Sequence, residues 1–360
     1  MVAAVSFDEP RPVAAAAWTP GQPLTLPQAC ELALAHNPAL AAAALDATAL
    51  QSQTDVVAAA RWPRLNMQGG YTHYLDDQRL SPAARNGEAG VFADDLLSTE
   101  LVLTLPLYSW GRLTHEIRAA DLLHLAASHG LARDREELVY NVASVYYAIL
   151  AQERIVASLA FSRQTLAEHR KRVNDLLAAQ KVARVDLLRT EVRLADLDQR
   201  LARERNTRSV QVRVLATLLG VETTAPLELA GALAEVTAAP AVAAANAAMA
   251  WTQRQDWIAA EAELRAQAHR LDAARAGHWP TLALQAGYGE RWALAPGERP
   301  VGEDSRADAG RVGLLLDVPL FAGGAITAQV ERERARLGAA QERLRQLRLR
   351  ISLEVETAQL

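Results

Sequence analysis

The strongest constraint on this chain is an internal duplication. Trp62-Pro63-Arg64-Leu65 returns as Trp279-Pro280-Thr281-Leu282, a shift of 217 residues. At the same shift Gly70-Tyr71 returns as Gly287-Tyr288, and Asn37-Pro38-Ala39-Leu40 falls against Arg254-Gln255-Asp256-Trp257. Leu105-Pro106-Leu107-Tyr108-Ser109-Trp110-Gly111 returns as Val318-Pro319-Leu320-Phe321-Ala322-Gly323-Gly324, at a shift of 213. One echo of this kind is chance; a series in order at nearly one offset is a repeat, with a loop absorbing the small difference. The chain then divides into a linker (1–23), a first repeat (24–220), a second linker (221–250) and a second repeat (251–360).

Each copy reads alike. A helix comes first, roughly Leu26–Arg61 with an interruption at Asn37-Pro38, then Asp256–Gly277 in the second copy. Trp-Pro ends it, because the residue before proline avoids the α conformation and proline cannot extend the hydrogen-bond ladder. A strand follows, over 64–76 and 281–292, in which Leu65, Met67, Gly69 and Tyr71 alternate with Asn66, Gln68, Gly70 and Thr72. Polar segments rich in Pro, Gly and charge, Asp76–Asp95 and Ala295–Ala309, predict exposed loops. Return strands are expected over 97–108, with Leu101, Leu103, Leu105 and Leu107 on one face, and over 310–321, with Val312, Leu314, Leu316, Val318 and Leu320. Helix then resumes, over 112–220 as a hairpin and over 324–360.

The longest helix carries a seam. Leu138, Val142, Val145, Ile149, Gln152, Val156, Leu159, Arg163, Leu166, Arg170, Val173 and Leu177 follow strict 4-3 spacing, the mark of a coiled-coil contact. Leu187, Leu194, Leu197, Leu201, Leu215 and Leu218 supply the partner arm, and the short connection between the arms makes an antiparallel hairpin. At about 1.5 Å per residue, Arg112–Ala179 spans about 100 Å. The return arm, about 55 Å, and the pre-strand helix, about 37 Å, nearly match it when placed end to end.

Two strands per copy cannot close a membrane barrel, for which about eight is the practical minimum. Lipid tolerates no open sheet edge, so other subunits must complete such a sheet. A trimer would supply about twelve strands and leave room for a lumen, where a dimer's eight would be filled by side chains.

Composition excludes other classes. Half of the residues are hydrophobic but only 5% aromatic, a balance that favours long helices over a compact mixed core. The net charge of −4, with both signs interspersed, gives no basic face for nucleic acid. The sole cysteine, Cys30, sits at a helix start and reads as a small apolar residue. None of the eight histidines shows the i, i+4 spacing of a helical zinc site, no Gly-rich phosphate loop follows a strand, and no enzyme site emerges. No cofactor or metal is expected. No stretch is apolar enough for a transmembrane helix, though barrel strands would escape that test. Asp8, Glu9, Pro10 and Arg11 stand where a signal peptide would have its apolar core, so either the true start lies upstream or the export signal is absent.

These features resemble the TolC-type outer-membrane efflux proteins. The likeness rests on Leu24-Thr25-Leu26-Pro27-Gln28-Ala29-Cys30-Glu31-Leu32-Ala33-Leu34, on Asn37-Pro38-Ala39-Leu40, on Trp62-Pro63, on the Pro-Leu-Tyr/Phe…Gly junctions, and on Val182-Ala183-Arg184-Val185-Asp186-Leu187-Leu188. It implies a mainly α fold with a small β part. Long antiparallel helical hairpins and four strands per chain would contribute to a trimeric twelve-stranded barrel continuous with a periplasmic α-barrel. The function implied is a passive outer-membrane duct of a tripartite efflux or type I secretion system. Its partners would be two sister subunits, outer-membrane lipid, a periplasmic adaptor and, through it, an inner-membrane pump. By the same resemblance Gln180, Lys181, Val182, Ala183, Arg184 and Asp186 form the adaptor-facing hairpin tip, although the family usually has Gly-Leu at Gln180-Lys181. A solvated turn is the other reading of that segment.

Leu101, Leu103, Leu105, Leu107, Val312, Leu314, Leu316, Val318 and Leu320 are the expected lipid-facing set. Tyr71, Tyr74, Tyr108, Trp110, Tyr288, Trp292 and Phe321 would form aromatic girdles, or else pack a soluble core. Counted from the strand–helix glycines, Gly111 to Gly220 against Gly324 to Leu360, the second copy is 73 residues shorter. A second tip is therefore expected beyond Leu360, together with the carboxylates that the resemblance implies for a periplasmic constriction, and the polypeptide as it stands is expected not to form a stable duct. The competing function is a soluble or cell-surface coiled-coil scaffold, which leaves the repeated strand boundaries unexplained.

Overall fold

The computed structural model describes residues 22–80, 91–222, 227–231, 251–294 and 304–359. In order come α1 (Leu26–His36), α2 (Pro38–Ala58) with a 3-10 turn (Ala59–Arg61), β1 (Arg64–Arg79), β2 (Phe92–Tyr108), α3 (Arg112–Ala178) and α4 (Arg184–Leu219). A 3-10 turn (Trp251–Gln253), α5 (Gln255–Ala276), β3 (Thr281–Leu294), β4 (Arg306–Asp317) and α6 (Ala325–Gln359) follow. The chain is mainly helical with four antiparallel strands in one sheet, ordered β1-β2-β3-β4.

The strands run further than the alternation predicts at their loop ends. Asp76–Arg79 belongs to β1 and Phe92–Asp95 to β2, where polar loop was expected. Cross-strand polar pairing carries the ladder outward, with the Tyr71 hydroxyl and His73 Nδ1 both on Asp95 Oδ1, at 2.5 and 2.8 Å. The remainder of the expected loops, most of 221–250 and nearly all of the N-terminal linker lie outside the described residues.

The chain falls into two compact units that cut across the two repeats, since the long helices pack in different places along their length. One unit takes the described residues up to Asp46 and those from Gly130 to 231. Its core joins Leu24, Ala29, Leu138, Val142, Ile149, Leu215 and Leu219. The 4-3 seam of α3 thus meets α4, as the spacing requires, with polar locks along it. The Gln152 amide donates to the Glu204 carboxylate (2.5 Å), Arg208 holds Glu153 (2.6 Å), and Arg163 pairs with Asp198. Leu24 forms an isolated bridge to Leu229, and the Tyr146 hydroxyl contacts the Leu24 carbonyl at 2.9 Å. Burial pushes the Tyr146 phenol up from its ordinary pKa.

The Asn37-Pro38 interruption has a physical cause. Asn37 Oδ1 accepts the Leu40 N–H (3.0 Å) and so caps α2, and Pro38 opens that helix where no N–H is needed. The same side chain's Nδ2 donates to the Leu218 carbonyl (2.9 Å), one of the carbonyls left free at the end of α4. Gly220 follows with φ +68, and a Cβ there would lie 2.1 Å from the His36 carbonyl oxygen. The end of α4 therefore meets the start of α2, which is the junction that the length-matching of helices called for.

The other unit holds Ala47–His129 and the described residues from Trp251 onward, including the whole sheet. In it α5 packs on α6. Glu333, 4% exposed, accepts from the Gln267 amide (2.7 Å) and pairs with Arg332 and Arg336. Burial opposes its charge, yet these donors hold the carboxyl below the usual carboxylate range.

Candidate functional site

Side chains opposite one another on an antiparallel ladder share a face. The register therefore sorts the sheet without ambiguity. One face carries Leu65, Leu103, Ala286 and Val312 in one row, and Leu105, Leu284 and Leu314 in the next. Met67, Leu101 and Tyr288 make a third row. The opposite face carries Gln68 and Glu100, Thr104 and Gln285, and Arg311, whose guanidinium reaches Glu100 across β3 at 3.1 Å.

Exposure is inverted relative to a sheet made for water. Met67 is 72% exposed and Val312 78%, whereas Val102 on the polar face is 8%. A soluble protein buries the apolar side of such a sheet. Here that side is open, and among the described residues the two outer strands, β1 and β4, each pair on one side only.

Of the residues predicted for this face, Leu101, Leu103, Leu105, Val312, Leu314 and Leu316 lie on it. Leu107 does not hold a ladder position. The register jumps between Pro106 and Tyr108, so Leu107 is the extra residue of a bulge, and Tyr108 pairs with Leu282 in its place. Val318 and Leu320 lie beyond β4, which ends at Asp317. Pro319 has no N–H to donate, and the alternation of apolar residues continues past the last paired residue.

Below the sheet the two strand-to-helix joints share one backbone. Trp110 and Gly111 have φ of 50 and 83; Gly323 and Gly324 have 59 and 83. Two successive left-handed residues turn each return strand into its helix. Trp110 is a strained choice there, offset by its stacking on Trp279 (5.1 Å) and its edge contact with Tyr108 (5.1 Å). These rings, with exposed Phe321, sit at the strand ends where aromatic girdles were expected, while Trp62 (71% exposed) joins them unforeseen.

The hairpin tip is a Schellman turn. The Lys181 N–H donates to the Leu176 carbonyl and the Gln180 N–H to that of Leu177, both at 2.9 Å, with Gln180 left-handed at φ 57. That is the position where glycine is at ease, which accounts for the glycine usual in the resembling proteins. Gln180, Lys181, Ala183, Arg184 and Asp186 are exposed and Val182 is half-buried. Sequence reading missed the apolar residues around them: Leu176, Val185, Leu188 and Val192 are all exposed. On α4 the last three run at i, i+3 and i+7, a second stripe beside the seam of Leu187 and Leu194, and this spacing was the available signal.

No described helix is long and apolar enough to cross a membrane. The largest exposed apolar surface described above is one face of the sheet. This is the architecture of outer-membrane efflux channel subunits.

The family model described as "Outer membrane efflux protein" matches residues 29–221 and 246–360, and the chain belongs to that family. It is 27% identical over 334 residues to the proteases secretion protein PrtF of Dickeya chrysanthemi, covering 90% of this chain and 69% of the relative. To the toluene efflux pump outer membrane protein TtgF of Pseudomonas putida it is 30% identical over 264 residues, covering 71% of this chain and 52% of the relative. The chain thus spans between about half and seven-tenths of the length of these relatives. Among solved structures, the CmeC outer membrane channel of Campylobacter jejuni superposes with a TM-score of 0.74 at 14% identity, over 90% of this chain and 67% of that one. The outer-membrane channel OprN gives a TM-score of 0.72 at 23% identity, over 90% and 71%. The family forms trimeric, non-enzymatic outer-membrane channels that serve efflux pump systems, with the helical part in the periplasm.

Proposed function

We propose that the protein is one subunit of a homotrimeric, passive export duct running from periplasm to exterior, in which three four-stranded sheets close into a twelve-stranded barrel. One observation carries this reading: the sheet exposes its apolar face while keeping polar side chains such as Gln68, Glu100 and Arg311 on the other, and it ends in two open edges. Lipid against the first face, water in the lumen behind the second, and sister strands on both edges satisfy all three features at once. Leu101, Leu103, Leu105, Val312, Leu314 and Leu316 face lipid in this arrangement. The tip from Gln180 to Asp186, bordered by Leu176, Val185, Leu188 and Val192, presents polar and apolar contacts together and docks a periplasmic adaptor of an inner-membrane pump.

Fractionation of cells expressing the native gene tests the duct. A heat-resistant trimer in the outer membrane is expected; a water-soluble monomer overturns the reading. For docking, cysteine crosslinking from Lys181→Cys to an adaptor should succeed where the same probe at Arg350, on α6, does not.

A further inference from the structure

Among the described residues, two places gather three side chains able to ligate a metal. One of them, His73 with Asp94 and Asp95, offers a single imidazole and lies in the strands, where Asp95 is already engaged by Tyr71. The other is built differently. His115 comes from the first turn of α3, His269 and Asp272 from α5, and all three are partly buried. Their ligand atoms lie within 4.8 Å of one another. His115 Nδ1 and His269 Nδ1 face each other at 2.9 Å, with the rings tilted by 40°.

We propose that His115, His269 and Asp272 form a binding site for a first-row transition-metal dication of the zinc type, clamping α3 to α5 beneath the sheet. Two imidazoles and a carboxylate, with one position left for water, form an established ligand set for zinc. Two nitrogens about 2.0–2.1 Å from a tetrahedral ion stand about 3.3 Å apart, so the imidazoles need separate by only about 0.4 Å. His269 and Asp272 are three apart on one helix and share a face. One oxygen of Asp272 accepts from Arg275 at 3.0 Å, a contact that orients the carboxylate.

The local charges are mixed. Arg118 and the facing His115 act against a positive charge at His269, and Asp272 acts for it. Further along α3, His129 and His124 are engaged with Gln255 (2.7 Å) and the Ala47 carbonyl (3.3 Å). The site is independent of export, so its failure leaves the duct reading untouched.

The test is titration of the tag-free protein in detergent with Zn(II) against a chromophoric chelator, and with Co(II) followed by visible absorption. One equivalent per chain is expected, with the intense visible bands of a four-coordinate cobalt site. His115→Ala and His269→Ala should each weaken binding by about 100-fold and Asp272→Asn by about 10-fold, while His73→Ala changes nothing. His115→Gln, which keeps the bulk without the ring nitrogen, serves where alanine perturbs folding, as judged by circular dichroism. Failure of the parent to bind one equivalent overturns the proposal by itself, with no variant needed. Full binding by folded His115→Gln and His269→Ala, or loss that follows His73→Ala, overturns it too.

Discussion

The two copies of the repeat share a backbone and differ in how they hold it. At the strand-to-helix joint both use two left-handed residues, but the second copy fills them with Gly323-Gly324 and the first with Trp110-Gly111. At the helix opening before the first strand, copy one uses a neutral cap, Asn37, which also ties down the end of α4. Copy two uses charge. Arg254, at the corresponding place, pairs with Asp256 (2.8 Å) and Glu354 (2.7 Å), and Arg348 lies 5.3 Å from the Trp251 ring. These carboxylates hold the Arg254 guanidinium still more firmly charged than usual. After duplication, then, the backbone geometry persists while the side chains that enforce it change, so shape is a better guide to kinship than identity.

The largest test of that contrast is at Gly220, on the copy-one junction. Gly220→Val places a branched side chain at φ +68 against the His36 carbonyl and should cost about 4 kcal/mol or more in urea unfolding. The same substitution at Gly338, inside α6 where an added Cβ meets nothing within 4 Å, should change stability by less than about 0.5 kcal/mol, toward a gain. Equal losses would mean the junction is no tighter in copy one.

Next come the faces of the sheet. Leu103→Arg in copy one and Leu314→Arg in copy two should each cost about 2–4 kcal/mol in the membrane-inserted protein, whereas Gln68→Arg should be nearly neutral. A trimer of Leu103→Arg as heat-resistant as the parent would reverse the face assignment.

A smaller effect concerns acid. Glu333 and His269 both have folded pKa values below their ordinary ones, so the unfolded chain binds more protons and stability rises with pH. The His269 contribution is present above about pH 6.5 and fades as pH falls below it; the Glu333 contribution is present above about pH 4.3 and fades below that. Hydrogen exchange in α5 and α6 should therefore accelerate in two stages on acidification, and Glu333→Gln should remove the lower one. The smallest effect is at Trp110. Trp110→Gly relieves about 1 kcal/mol of backbone strain and forfeits about the same in ring contacts, for a net change under about 1 kcal/mol. A loss of several kcal/mol in thermal unfolding would show the rings, and not the turn, to be what holds copy one's joint.

The architecture was legible because its signals are periodic or repeated. The duplication, the Trp-Pro stops, the 4-3 seam from Leu138 to Leu177 and the alternation in Leu101–Leu105 each report a local preference that packing did not overrule. Errors arose where the pattern outran the hydrogen bonds. Apolar alternation continues through Val318 and Leu320 although the ladder ends at Asp317, and it passes through Leu107 although a bulge removes that residue from register. The strands' outer ends were missed for the converse reason, since Asp95 looks like loop and is paired across the sheet on both sides, with His73 and with Leu294. The facing of His115 and His269 was out of reach. They are 154 residues apart on different helices, and neither carries a local spacing that announces the other.

The strand order has a consequence for how the protein is made. Leu101 pairs with Tyr288, so the middle ladder of the sheet joins segments nearly 190 residues apart. The hairpin of β1 and β2 emerges first, with its apolar side unsheltered, and must wait for the long helices α3 and α4 to be made before β3 arrives. Such distant pairing is slow to nucleate and prone to clumping meanwhile. During synthesis the first hairpin is therefore the segment with most to gain from shelter until β3 is in place.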